Sequence, residues 1–202
     1  MAPLRQLLPT RPAQAGSIPP DPGGPPPGRG RRWLARHAPA LGFLGRFSLL
    51  LAAFQGVVLL PWADRAYYGC LCANARVAGA ALRGCGEDVN VSGIIIRTAG
   101  YAVAIQRGCD AIEPAWFFCA AVLAFPLPWR LKWPGLLAGS AILFAVNLLR
   151  IVSLYFIGRR LPRLFPSAHL EWWPAAFILA AIALWLAWIG WARGRLPADD
   201  DV

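Results

Sequence analysis

Four long apolar runs organise this chain, at about 41–60, 111–127, 134–157 and 173–191, with polar stretches between them. Runs of about 18 residues or more are long enough to cross a hydrocarbon core ~30 Å thick. Only Arg46 and Gln55 interrupt the first run, and Pro126 and Pro128 shorten the second. Backbone groups in lipid must be satisfied internally and nothing here reads as a barrel, so the runs predict helices. The expected fold is an all-α polytopic integral membrane protein with four transmembrane helices. One external feature departs from helix. Gly93-Ile94-Ile95-Ile96-Arg97 and Tyr101-Ala102-Val103-Ala104-Ile105-Gln106 favour strands, and the connection Thr98-Ala99-Gly100 between them suits a small β-hairpin. Its second strand leads straight into Gly108-Cys109, where glycine permits a sharp turn.

Residues 1–38 are rich in Pro, Gly and Arg, and 19–27 has no apolar period, which predicts disorder. No signal-peptide order of charged, apolar and small-residue segments is present there. A membrane-embedded domain is expected over 39–195, with a disordered acidic tail over 196–202. Arg29, Arg31, Arg32 and Arg36 precede the first run and favour a cytoplasmic N-terminus. That orientation puts 61–110 and 158–172 outside, and 128–133 and the tail from Ala192 inside. Arg130, Lys132, Arg193 and Arg195 agree with it; Arg159, Arg160 and Arg163 oppose it, unless anionic headgroups or a substrate hold them outside.

Composition narrows the class further. With 57% hydrophobic residues and ten Trp, the chain is not a soluble domain. Its net charge of +10 is spread over loops and tails without any zinc finger, basic helix or aromatic RNA-binding signature. The charges read as topology determinants and contacts to membrane lipids, with no nucleic-acid partner. Of five cysteines, Cys119 lies mid-run and reads as a small buried apolar residue. Cys70, Cys72, Cys85 and Cys109 share the first outer stretch, where a Cys72–Cys85 or Cys70–Cys85 bridge would suit an oxidising compartment. Metal-ligand spacing is absent, and no cofactor is expected.

Three residues at run boundaries carry possible chemistry: Cys109, Arg150 and His169. Each crossing reverses the chain, so the three ends share one membrane face whichever way the protein inserts. Asp110 and Glu113 have capping-box spacing and Pro114 suits a first turn, which puts Cys109 at a helix N-terminus, where the dipole favours a thiolate. Asp110 opposes that effect. Arg150 lies about 24 Å along its run at ~1.5 Å per residue, near the far interface, with Asn147 one turn earlier on the same face. Arginine cannot be a base but holds a thiolate, an oxyanion or a carboxylate. His169 accepts and returns a proton near neutral pH, with Glu171 close enough in sequence to orient it. The bland readings are a loop cysteine, a snorkelling arginine and an interfacial histidine beside a Trp172-Trp173 belt.

The order of cysteine, arginine and histidine at successive helix ends, with Asn147-Leu148-Leu149-Arg150-Ile151, resembles the exosortase/archaeosortase family of membrane cysteine transpeptidases over about 89–191. It looks most like the short exosortase H type. The resemblance implies Cys109 as nucleophile, Arg150 as electrostatic partner and His169 as proton carrier. It also implies exported substrates with a C-terminal sorting signal, cleaved outside a bacterial cytoplasmic membrane through an acyl-enzyme thioester. Ala111 stands where the family commonly has glycine, and many members carry about eight spanning helices. The rival is a membrane thiol–disulfide oxidoreductase using the outer cysteines, although no Cys-x-x-Cys pair exists. A non-catalytic membrane scaffold is the third reading.

Overall fold

The computed structural model describes residues 29–196, and its helices follow apolar stripes rather than apolar runs alone. The chain divides into a unit up to Ala38 and a second from Pro39 onward, which holds the elements that matter below. Helix α1 spans Arg29–Val58 and α2 spans Pro61–Gly84. Residues 29–38 are therefore helical where disorder was expected; the remainder of that N-terminal stretch, and 197–202, lie outside the described residues.

Helix α2 corrects the expectation of a polar loop. Ala63, Tyr67, Leu71, Ala75, Ala78 and Leu82 recur every three or four residues and are buried, while Arg65, Arg76 and Arg83 are exposed. Alanine makes the stripe too weakly apolar to stand out as a run, yet its period is that of an amphipathic helix. Pro61 opens it where no intrahelical N–H is needed, and Asp64 and Arg83 complement the dipole at its two ends.

Strands β1 (Asn90–Ser92), β2 (Ile95–Thr98) and β3 (Tyr101–Ala104) form an antiparallel meander in that order, one strand more than the expected hairpin. Thr98 pairs with Tyr101, so the second turn has two residues, Ala99-Gly100, rather than three. Gly100 takes φ +80° there, a conformation that L-residues resist.

Helix α3 spans Ile112–Ala124 and α4 spans Trp129–Arg160. A 3₁₀ turn (Pro162–Leu164), a single turn α5 (Phe165–Ser167) and a π-turn (Ala168–Trp172) then lead into α6 (Trp173–Arg193). Three stretches among the described residues, Arg36–Val58, Trp129–Arg160 and Pro162–Arg193, are long and apolar enough to cross a membrane. Helix α3 is not. Its 13 residues reach about 20 Å at ~1.5 Å each, short of a ~30 Å core, because Pro126 and Pro128 end it early. Four expected spans thus become three.

Two hydrophobic clusters hold these elements. Tyr67, Leu71, Leu82, Ile96, Ile151 and Tyr155 join α2 and the sheet to α4. Phe118, Leu143, Phe177 and Trp188 join α3, α4 and α6. On α4, Gly135 and Gly139 admit the Trp188 and Phe118 rings so closely that a Cβ at either glycine would overlap them. Lys132 is not a loop charge as expected. It is buried in the first turn of α4, and its Nζ donates to the Leu123 carbonyl at 2.6 Å, closing the end of α3.

Candidate functional site

The loop 108–111 lies between the two clusters: Cys109 packs against the first and Ala111 belongs to the second. Its path is forced by two left-handed residues, Gly108 at φ +84° and Ala111 at φ +63°. Ala111 is the one residue other than glycine with positive φ among those described. Asp110 does not form the expected capping box with Glu113. Its buried Oδ1 accepts the Ile112 N–H at 3.0 Å, which makes the tight turn into α3.

Three consecutive carbonyls of this loop are taken by side-chain donors from flanking helices. Arg150 Nη1 donates to the Gly108 carbonyl at 2.8 Å, and Asn147 Nδ2 to the Cys109 carbonyl at 3.1 Å. Asn74 Nδ2, from α2, reaches the Asp110 carbonyl at 3.4 Å, and its Oδ1 accepts from Asn147 Nδ2 at 3.3 Å. Asn147 and Arg150 sit three residues apart on α4 because one face must serve adjacent carbonyls. Arg150 is therefore held by the protein rather than snorkelling: the residue is 6% exposed, and its Nε is buried without a partner.

His169 comes from the π-turn. Pro174 has no N–H to close the usual bond one turn back, and Trp173 N–H instead reaches five residues back to the Ala168 carbonyl. The imidazole stacks on Phe165 with ring centroids 5.6 Å apart. Its Nδ1 has no hydrogen-bond partner, and Glu171, the residue expected to orient the ring, is exposed.

Cys109, Arg150 and His169 line one cavity of about 520 Å³, with β3 along one wall and the end of α4 and Phe165 along the other. Burial pushes the Cys109 thiol above its ordinary range, and Asp110 adds to the rise. Arg150 and a backbone hydrogen bond from Gln106 pull the other way without reversing it. Tyr67, facing Asp110 from α2, is likewise raised, first by burial and then by that carboxylate. The thiol is thus protonated at neutral pH, so any nucleophilic use of it needs a base.

The other cysteines do not gather here. All five are free, and the thirteen helical residues from Cys72 to Cys85 span about 20 Å at ~1.5 Å each. A disulfide needs Cα atoms within about 7 Å, so neither expected bridge forms. Cys119 Sγ lies 3.4 Å from Ser140 Oγ between α3 and α4. Among the described residues, no group of three or more His, Cys, Asp or Glu is placed to hold a metal ion. Asn74 was not anticipated from the sequence; its one signal is an amide beside the apolar stripe of α2. No protein-family model matches the chain, and no curated protein or solved structure matches it. What the site does therefore rests on its own geometry and chemistry.

Proposed function

We propose that this chain is an integral membrane cysteine peptidase or transpeptidase, with Cys109 as nucleophile, His169 as proton carrier and Arg150 as the fixed charge between them. The observation that carries this reading is the single cavity the three side chains line. Three long apolar helices support a polytopic membrane protein, as do outward side chains such as Leu137 and Leu179, 69% and 67% exposed.

His169 takes the Cys109 proton as sulfur attacks a peptide carbonyl, and the Arg150 guanidinium favours both the thiolate and the oxyanion. Collapse breaks the C–N bond, and His169 returns the proton to the leaving amine. The acyl group stays on sulfur as a thioester until water or another nucleophile releases it. By the resemblance to exosortases, the substrates are exported proteins with a C-terminal sorting signal, cut at the outer face of a bacterial cytoplasmic membrane with the N-terminus cytoplasmic.

Co-expression with candidate sorting-signal proteins, followed by immunoblot of substrate size, tests this directly. Cys109→Ala, Arg150→Ala and His169→Ala are each expected to leave the substrate uncut. Processing that persists in Cys109→Ala would remove the proposal.

A further inference from the structure

We infer that the free edge of β3 is the docking strand for substrate: an extended peptide pairs with it as a fourth strand and is led along it to Cys109. This rests on the peptidase reading of the same cavity.

The sheet order leaves β3 outermost. Register decides which of its backbone groups are free. Ile105 N–H donates to the Ile94 carbonyl at 2.9 Å, so those two residues form a hydrogen-bonded pair. Such pairs alternate along an antiparallel ladder. Val103 and Tyr101 therefore turn their amides toward Ile96 and Thr98, and Ala102 and Ala104 turn theirs away from the sheet. No backbone partner takes those outward groups among the described residues. Edges of this kind are normally blunted by proline, charge or a covering element. Here the edge carries exposed alanines and lines the cavity that contains Cys109, Arg150 and His169.

What would satisfy this wall is chemically defined. Alternating N–H and C=O groups two residues apart ask for a partner with the same alternation, which an extended peptide has and an acyl chain lacks. At ~3.3 Å per residue, about four residues of peptide cover β3. Beyond Ala104 the wall continues through Arg107, and Cys109 follows two residues later, so the next peptide carbonyl is carried toward sulfur. Arg150 lines the opposite wall and sets a positive charge there. Recognition of this kind reads main chain first and demands little of side chains.

The test uses the full chain in detergent with a tetra-alanine vinyl sulfone as probe. The Cys109 thiolate adds to the vinyl carbon, the neighbouring carbon takes a proton, and a thioether results with nothing released. Mass spectrometry follows this adduct beside iodoacetamide alkylation of the same thiol. Ala104→Pro removes one outward N–H and no ladder bond, whereas Ala104→Val keeps it. Expected is a tenfold or greater loss of vinyl sulfone capture in Ala104→Pro, iodoacetamide alkylation within twofold of wild type, and near-normal capture in Ala104→Val. A probe N-methylated at alternate amides, used on the wild-type chain, should lose capture in one phase of the alternation only, which makes the result independent of how the proline variant folds. Equal capture of all probes by wild type and Ala104→Pro would overturn the docking strand while leaving Cys109 reactive. Absence of any vinyl sulfone adduct on Cys109 in wild type would overturn the docking strand and the peptidase reading together.

Discussion

Cys109 is a thiol under opposed influences, and their balance has a readable pH signature. Burial and Asp110 hold its proton on, while Arg150 favours the thiolate. Alkylation by iodoacetamide follows the thiolate, so its rate is expected to rise with pH through an inflection above that of a free cysteine. Arg150→Ala removes a cation that favours ionisation, which moves the inflection still higher and slows alkylation at any pH below it. A downward move would show that Arg150 does not act on the sulfur. Ala111 is the other informative residue here. An L-residue in the left-handed region costs ~1–2 kcal/mol, so Ala111→Gly is expected to stabilise the protein by about 1 kcal/mol and Ala111→Val to destabilise it. Thermal unfolding in detergent measures both, and a loss of stability in the glycine variant would contradict the strain. That Cys109, Arg150 and His169 converge on one cavity was legible in the sequence because charged or nucleophilic groups stand out at the ends of apolar runs. Asn74 was not, since an amide on a small-residue helix acquires meaning only when the loop it clamps is folded beside it.

At the level of elements, the site depends on how closely α3, α4 and α2 approach. Gly139 faces the Phe118 ring with no room for a Cβ, so Gly139→Leu is expected to destabilise by about 1–3 kcal/mol or more through overpacking. Phe118→Ala in that background should recover part of the loss if the ring is the obstacle; no recovery would place the clash elsewhere. The loop clamp makes a separate claim. Asn147→Ala leaves the half-buried Cys109 carbonyl without its donor, a loss of about 1 kcal/mol that also frees the loop. Processing of a co-expressed substrate should fall in this variant even at temperatures where circular dichroism shows it folded. Helix α4 was readable from the length of its apolar run, and the β2–β3 hairpin from two β-favouring runs with a glycine between them, though the turn is one residue shorter than expected. Helix α2 escaped because hydropathy rewards bulk, and half of its stripe is alanine. Strand β1 escaped because three residues hold too few alternations to register as a pattern. Helix α3 is shorter than its apolar run for the opposite reason: the run continues past Ala124, but Pro126 and Pro128 cannot continue the helix.

For the whole molecule, the arrangement of charge argues for a fixed orientation. Helices α4 and α6 run antiparallel, with Phe177 facing Arg150 near one end and Trp188 bonded to Leu131 near the other. The second end gathers the exposed Arg130, Arg193 and Arg195 with the exposed Trp129, Trp133 and Trp191, a basic and aromatic rim suited to anionic headgroups. The first end holds the arginines that opposed the expected topology, yet two have protein partners. Arg159 is paired with Glu87, and Arg160 lies 5.0 Å over the Phe156 ring. Pairing leaves both positive charges at that end, so these arginines still oppose a cytoplasmic N-terminus and stand against the basic, aromatic rim at the other end. If α4 and α6 cross a bilayer in this sense, with the shorter α3 returning the chain from one end of α4 to the other, Cys85, exposed near the Glu87–Arg159 pair, faces outward, and Arg195, over the Trp191 ring at 4.2 Å, faces the cytoplasm. Two single-cysteine variants separate these faces: one retaining only Cys85, the other carrying Arg195→Cys with the native cysteines replaced by serine. A membrane-impermeant maleimide should label Cys85 in intact spheroplasts and the Arg195→Cys variant only after permeabilisation. Labelling of both without permeabilisation would mean that no bilayer lies between the ends, and the reversed pattern would place Cys109 on the cytoplasmic side, where no exported substrate could meet it.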